Sequence, residues 1–95
     1  MVLEVALIDV KPGSEADFTA AYAQARSIVA GSQGIGAIRM TQGIETPTRF
    51  VLLIQWDSVE AHEAFRSGEG FTQWRSLIGP HFSGPPHVEH FRDID

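Results

Sequence analysis

The chain of 95 residues contains no cysteine. That removes disulfide bonds, thiol nucleophiles, zinc–thiolate centres and iron–sulfur clusters from consideration, and it suits a reducing compartment such as the cytoplasm, the expected location. Positive charge is also scarce: seven basic residues stand against twelve acidic ones, for a net charge of -5. Arg26, Arg39, Arg49, Arg66, Arg75 and Arg92 are scattered, with no basic run. Nucleic acid and anionic membrane are therefore not expected partners. No apolar run is long enough to span a bilayer. The apolar segment Val2 to Val10 carries Glu4 and Asp9 and has no basic stretch before it, so it reads as a strand and not as a signal peptide. A phosphate-binding glycine loop is missing as well. Gly31-Ser32-Gln33-Gly34-Ile35-Gly36 lacks the strand before and helix after that a dinucleotide fingerprint requires.

What is present is a strand with two apolar faces. In Arg49-Phe50-Val51-Leu52-Leu53-Ile54-Gln55-Trp56, the side chains of Phe50, Leu52, Ile54 and Trp56 share one face, while Val51 and Leu53 share the other. An antiparallel strand with one wet face alternates apolar with polar. A chain this short can cover one sheet face with its own helices but hardly the second. The second face asks for a partner, and the simplest is another copy of the same chain.

Val2 to Val10 reads as the first strand, ended by Pro12-Gly13. Ser14-Glu15-Ala16-Asp17 reads as a helix start, with the Ser14 hydroxyl expected to accept from the Asp17 amide. Phe18, Tyr22, Ala25, Ile28 and Val29 recur at helical spacing up to Gly31. Ile35 to Ile44 and Arg49 to Trp56 read as a hairpin about the turn Glu45-Thr46-Pro47-Thr48. Asp57-Ser58-Val59-Glu60 caps a short helix carrying Ala61, Ala64 and Phe65. Gly68 and Gly70 are expected to break it, and Phe71, Trp74, Leu77 and Ile78 form a further helical stripe up to Gly79-Pro80. A stiff Ser83-Gly84-Pro85-Pro86 linker precedes a last strand over His87 to Arg92. The order is βαββαβ with the second helix broken. This is an α+β, ferredoxin-like arrangement on an antiparallel sheet, in one domain covering residues 1–95.

His81, His87, Glu89 and His90 cluster near the C-terminus. On a strand His87 and Glu89 share one face and His90 the other, and no histidine pair sits one helical turn apart, so no metal site is expected. Ser14 and Ser58 are better explained as helix caps than as nucleophiles.

Three segments carry a family resemblance: Lys11-Pro12-Gly13-Ser14-Glu15-Ala16-Asp17-Phe18 after the first strand, Gln55-Trp56-Asp57-Ser58-Val59-Glu60-Ala61, and the tail Gly79-Pro80-His81-Phe82-Ser83-Gly84-Pro85-Pro86-His87-Val88-Glu89-His90-Phe91. Together they resemble the antibiotic biosynthesis monooxygenase family. The resemblance implies a homodimer, a dimeric α/β barrel in which two sheets pack face to face, and a pocket in each subunit between sheet and helices. It further implies a monooxygenase that acts on an aromatic or polycyclic small molecule without metal, flavin or other cofactor. By the same resemblance Trp56 matches a tryptophan of the quinone-forming members and Arg75 an arginine facing the pocket. His62 lies near a tyrosine of those relatives and could serve as a base. Leu52 stands where they carry an asparagine, so one contact for a substrate oxygen is lost. The haem-degrading branch uses asparagine, tryptophan and histidine where this chain has Ala6, Phe65 and Arg75, which disfavours haem degradation. The competing expectation is a dimeric binding or accessory protein that keeps the fold without the chemistry.

Overall fold

The computed structural model describes all 95 residues. The elements are β1 (Val2–Asp9), α1 (Glu15–Ala30), β2 (Ile35–Gln42), β3 (Arg49–Trp56), α2 (Val59–Arg66), α3 (Glu69–Ile78), a single 3-10 turn (Gly79–His81) and β4 (His87–Phe91). The four strands form one open antiparallel sheet in the order β2-β3-β1-β4. This is the expected ferredoxin-like α+β fold, with the second helix broken into α2 and α3.

The register sorts the strands into two faces. Glu4, Ala6 and Ile8 of β1 sit opposite Ile54, Leu52 and Phe50 of β3. These side chains point toward the helices and, with Val10, Phe18, Ala25, Val29, Ile38, Trp56, Trp74 and Ile78, make the buried core. Phe18 and Trp56 are wholly buried. Phe18 packs on Phe50 with ring centroids 4.7 Å apart. Leu3, Val5 and Leu7 alternate to the far face, opposite Gln55, Leu53 and Val51. No helix covers that face, and Leu7 and Phe91 remain exposed on it.

Local signals behave differently at the two helix starts. Ser58 is extended and its hydroxyl accepts from the Ala61 amide at 3.1 Å, as its position before α2 suggests. Ser14 has φ -101° and ψ 8°, outside the extended range of a capping serine, and its side chain caps nothing; its carbonyl accepts from the Phe18 amide at 2.8 Å instead. Four boundaries also differ from the sequence expectation. The first strand ends at Asp9, and Val10 forms only an isolated bridge with Phe82. The second strand ends at Gln42 and Ile44 is almost fully exposed, because the Gly43 and Arg49 amides close the turn on the Arg49 and Thr46 carbonyls. The last strand ends at Phe91. Gly70 lies inside α3 rather than in the break, which falls at Ser67-Gly68. Its small size matters there: a Cβ on Gly70 would sit 3.3 Å from the Phe65 ring and 3.5 Å from Ile28. Gly34 meets a stricter demand. Its φ is +77°, and a Cβ would lie 2.9 Å from that of Ala61, so it lets α2 close down on the start of β2.

Candidate functional site

Glu4 is a carboxylate on the inward face of β1, only 5% exposed. On an otherwise apolar face this costs free energy unless the group is held by donors. Two neighbouring elements place polar groups against it, and a third extends the chain. The Trp56 indole N–H, from the end of β3, donates to Glu4 Oε1 at 2.9 Å. His62, from the second turn of α2, places Nε2 3.3 Å from the same oxygen. His90 is the cross-strand neighbour of Glu4 on β4, and its Nε2 lies 2.7 Å from His62 Nδ1. The His62 ring stacks on Trp56, with centroids 5.0 Å apart and 16° between planes. A continuous chain Trp56–Glu4–His62–His90 results.

Burial sets the protonation preferences. It pushes the Glu4 carboxyl above its ordinary value of 4.5, against the opposing pull of the Trp56 N–H and the Arg66 charge. It holds His62 down to about 4, helped by repulsion from His90 and Arg66, so His62 is neutral at neutral pH. Glu4 Oε1 takes both polar neighbours. No buried side-chain oxygen or nitrogen lacks a partner, and Oε2 has none, so Oε2 is the oxygen left accessible.

Glu4 and His62 form part of the wall of a cavity of about 360 Å³ between the sheet and α2, α3 and the Pro-rich linker. Ala6, Leu52 and Val88 line it from the sheet, Phe71, Trp74 and Ile78 from α3, and Phe82, Pro85 and Pro86 from the segment before β4. Arg66 and Arg75 complete the lining, both on exposed positions. The Arg75 guanidinium sits 5.9 Å from the Phe71 ring centre and 5.5 Å from that of Phe82, which orients it along the aromatic wall. This volume is in the lower part of the range for small-molecule sites, and suits a compact ring system with one or two polar groups.

Two of the three residues singled out from the sequence, His62 and Arg75, line this one cavity. Trp56 lies behind it, fully buried, with its N–H spent on Glu4 rather than open to a ligand. His62 is 4% exposed, with Nδ1 on His90 Nε2 and Nε2 toward Glu4 Oε1. Glu4, Arg66 and His90 were missed as site residues. Glu4 had a legible signal, since it shares the strand parity of Ala6, Ile8 and Val10. His90 does point to the face opposite His87 and Glu89, which pair with each other at 2.7 Å. No group of three or more His, Asp or Glu has the arrangement of a metal site.

The comparisons agree with this architecture. The antibiotic biosynthesis monooxygenase family is matched over residues 1–77. The chain belongs to that family. One relative of this family member, the uncharacterized protein YczJ of Bacillus subtilis, is 33% identical over 95 residues, spanning 99% of this chain and 100% of YczJ. The solved structure of an antibiotic biosynthesis monooxygenase family protein from Bordetella bronchiseptica superposes with a TM-score of 0.94 at 38% identity, covering 98% of this chain and 96% of that one. SnoaB, a cofactor-independent oxygenase from Streptomyces nogalater, superposes with a TM-score of 0.86 at 16% identity, over 99% of this chain and 93% of that one, a likeness of fold alone.

Proposed function

We propose that this chain is a homodimeric, cofactor-independent monooxygenase of a compact aromatic substrate with an acidic C–H or O–H bond. The observation that carries the reading is the cavity itself: aromatic walls, one buried carboxylate reaching in from β1, and two guanidinium groups at its edge. Such a set is suited to removing a proton from the substrate and holding the anion that forms. An anion next to a carbonyl and flanked by aromatic rings reacts with O₂ directly. A methylene so activated becomes a hydroperoxide, which loses water to leave a carbonyl, so that substrate CH₂ and O₂ yield C=O and H₂O. Arg75 and Arg66 are the groups placed to stabilise the anion. Ala6 and Leu52 offer no polar atom, so a substrate oxygen turns toward the arginines or Glu4 rather than toward β3.

The dimer rests on the sheet. Leu3, Val5, Leu7, Val51 and Leu53 form an apolar surface without a helix over it, and a second sheet of the same kind is its simplest cover. A second reading, ligand binding without chemistry, is favoured by one observation: Trp56 is already hydrogen-bonded within the protein and is not free to orient a ligand. Oxygen consumption with a panel of anthrones and hydroquinones, in buffer freed of metal, separates the two. The oxygenase reading expects uptake stoichiometric with product, and a rate about tenfold to a hundredfold lower in Arg75→Gln, below the loss usual for a sequestered charge because Arg75 is exposed. Tight binding with no oxygen uptake would establish the binding protein instead.

A further inference from the structure

We propose that Glu4 is the proton acceptor of the cavity, and that His62 and His90 form a proton-conducting chain from Glu4 to the β4 edge of the sheet. This rests on the oxygenase reading for the identity of the substrate, but the chain itself can be tested without one.

The geometry gives each group one task. Glu4 Oε2 is the accessible oxygen of a buried carboxylate that lines the cavity, whereas His62 spends Nδ1 on the hydrogen bond with His90 and turns Nε2 toward Glu4 Oε1 at 3.3 Å. His62 therefore acts on the substrate only through Glu4, as a positioning residue. His90 is half-buried on β4, an edge strand, which gives the chain an outlet. The charged and titratable groups around Glu4 are His62 and Arg66 from α2, His90 from β4 and, across the cavity, Arg75 from α3. There is no second carboxylate in the cavity wall to compete for the proton.

The transfer balances as follows. The carboxylate takes a proton from the substrate and becomes the acid, leaving the substrate anion beside the arginines. The proton is taken at Oε2 and His62 faces Oε1, so the carboxyl group turns to present its O–H to Nε2 of a His62 that carries its own proton on Nδ1. That Nδ1 proton moves to His90 Nε2, and His90 releases its Nδ1 proton to water. Glu4 ends as the carboxylate and His62 as the Nε2–H tautomer, which is the resting state, with one proton delivered outside; when Glu4 is next protonated, His62 and His90 regain their Nδ1–H tautomers by proton exchange with water. The 3.3 Å Glu4–His62 contact is long for this step and has to tighten when substrate fills the cavity. Burial helps: it raises the affinity of Glu4 for a proton and keeps His62 neutral, as a relay requires.

Two measurements on the full-length protein test this. The first uses ¹⁵N and ¹³C NMR without ligand. As Glu4 titrates, His62 is expected to change from the Nε2–H tautomer to the Nδ1–H tautomer at the same midpoint, and Glu4→Gln to abolish the change. A His62 that keeps one tautomer throughout overturns the chain. The second follows exchange of the methylene protons of anthrone for deuterium in D₂O under anaerobic conditions, which needs both deprotonation and replacement of the proton on Glu4. Wild type is expected to accelerate exchange. Glu4→Gln should lose about two to four orders of magnitude of that acceleration. His90→Gln should slow exchange while leaving anthrone affinity unchanged. Absence of exchange in wild type, or equal exchange in wild type and Glu4→Gln, overturns the role of Glu4. Exchange without oxygen uptake in air would support Glu4 as the base and remove the oxygenase reading alone.

Discussion

The two faces of the sheet are built from the same kinds of residue and end in opposite states. Toward the helices, Ala6, Ile8, Leu52 and Ile54 are all at most 3% exposed, while on the far side Leu7 is 44% exposed and Phe91 49%. The outer face carries Arg39 beside Leu53 and Glu89 beside Val5, both open to water, whereas Glu4 is a charged residue on the buried face. Glu4 is tolerated there because Trp56, His62 and, through His62, His90 surround it with nitrogen groups, which the open face has no helix to supply. A strand pattern that looks simply apolar on both sides thus conceals two tasks. One face is a core interrupted by a buried carboxylate, and the other is an apolar surface with no helix over it.

Phe18→Ala removes a fully buried ring from the inner face and is expected to cost about 3–5 kcal/mol of folding stability, read by urea denaturation. On the outer face, Leu53→Lys should do something different in kind. Leu53 points away from the helices, so the subunit should keep its circular dichroism spectrum while dimer dissociation rises by about a hundredfold or more, since an ammonium between two sheets costs several kcal/mol. Sedimentation showing an unaltered dimer would mean that the outer face does not meet a partner.

The subtler test is electrostatic. The folded pKa of His62, about 4, is below its ordinary 6.5, so the folded state binds fewer protons than the unfolded chain between these values. Its contribution is complete above 6.5 and is lost as pH falls toward 4, amounting to about 3 kcal/mol. Glu4 is displaced upward, so its contribution is complete below 4.5 and lost as pH rises through its folded value. The two slopes oppose each other in the wild type. His62→Gln removes the first, so the variant should lose stability as pH rises above 4.5, visible as a falling urea midpoint. A midpoint that rises with pH in both proteins would show that the pair is not coupled to folding in this way.

Much of the fold was legible because its signals are local. The third strand is bounded by Pro47 before it and Asp57-Ser58 after it, and an eight-residue strand with six apolar residues between such stops has little freedom to shift. Ile44 misled for the same reason: it continues an alternation, but Gly43 has already turned the chain into the hairpin. Ser14 has the right side chain for a cap and the wrong backbone angles, which only the preceding turn from Lys11 decides. The site was less legible because it is assembled across distance. His62 is buried only when α2 folds back over β3, and His90 reaches it only because β4 pairs with β1 rather than with β2. Arg75 and His62 were found through resemblance to a family. Glu4 could have been found from parity alone, had its charge been weighed against the face it occupies.

The central position of β1 has a consequence for assembly of the chain. A slip of β1 by one residue against β3 and β4 would exchange its faces, and Leu3, Val5 and Leu7 would satisfy the core almost as well as Ala6 and Ile8. Hydrophobicity alone barely distinguishes the two registers. Glu4 does, because only in the native pairing does its carboxylate meet the Trp56 N–H and His62; slipped, it would point to the outer face, away from both. The residue proposed as the proton acceptor also marks the correctly paired strand, so substituting it with an apolar residue would remove a safeguard on folding as well as the proposed base.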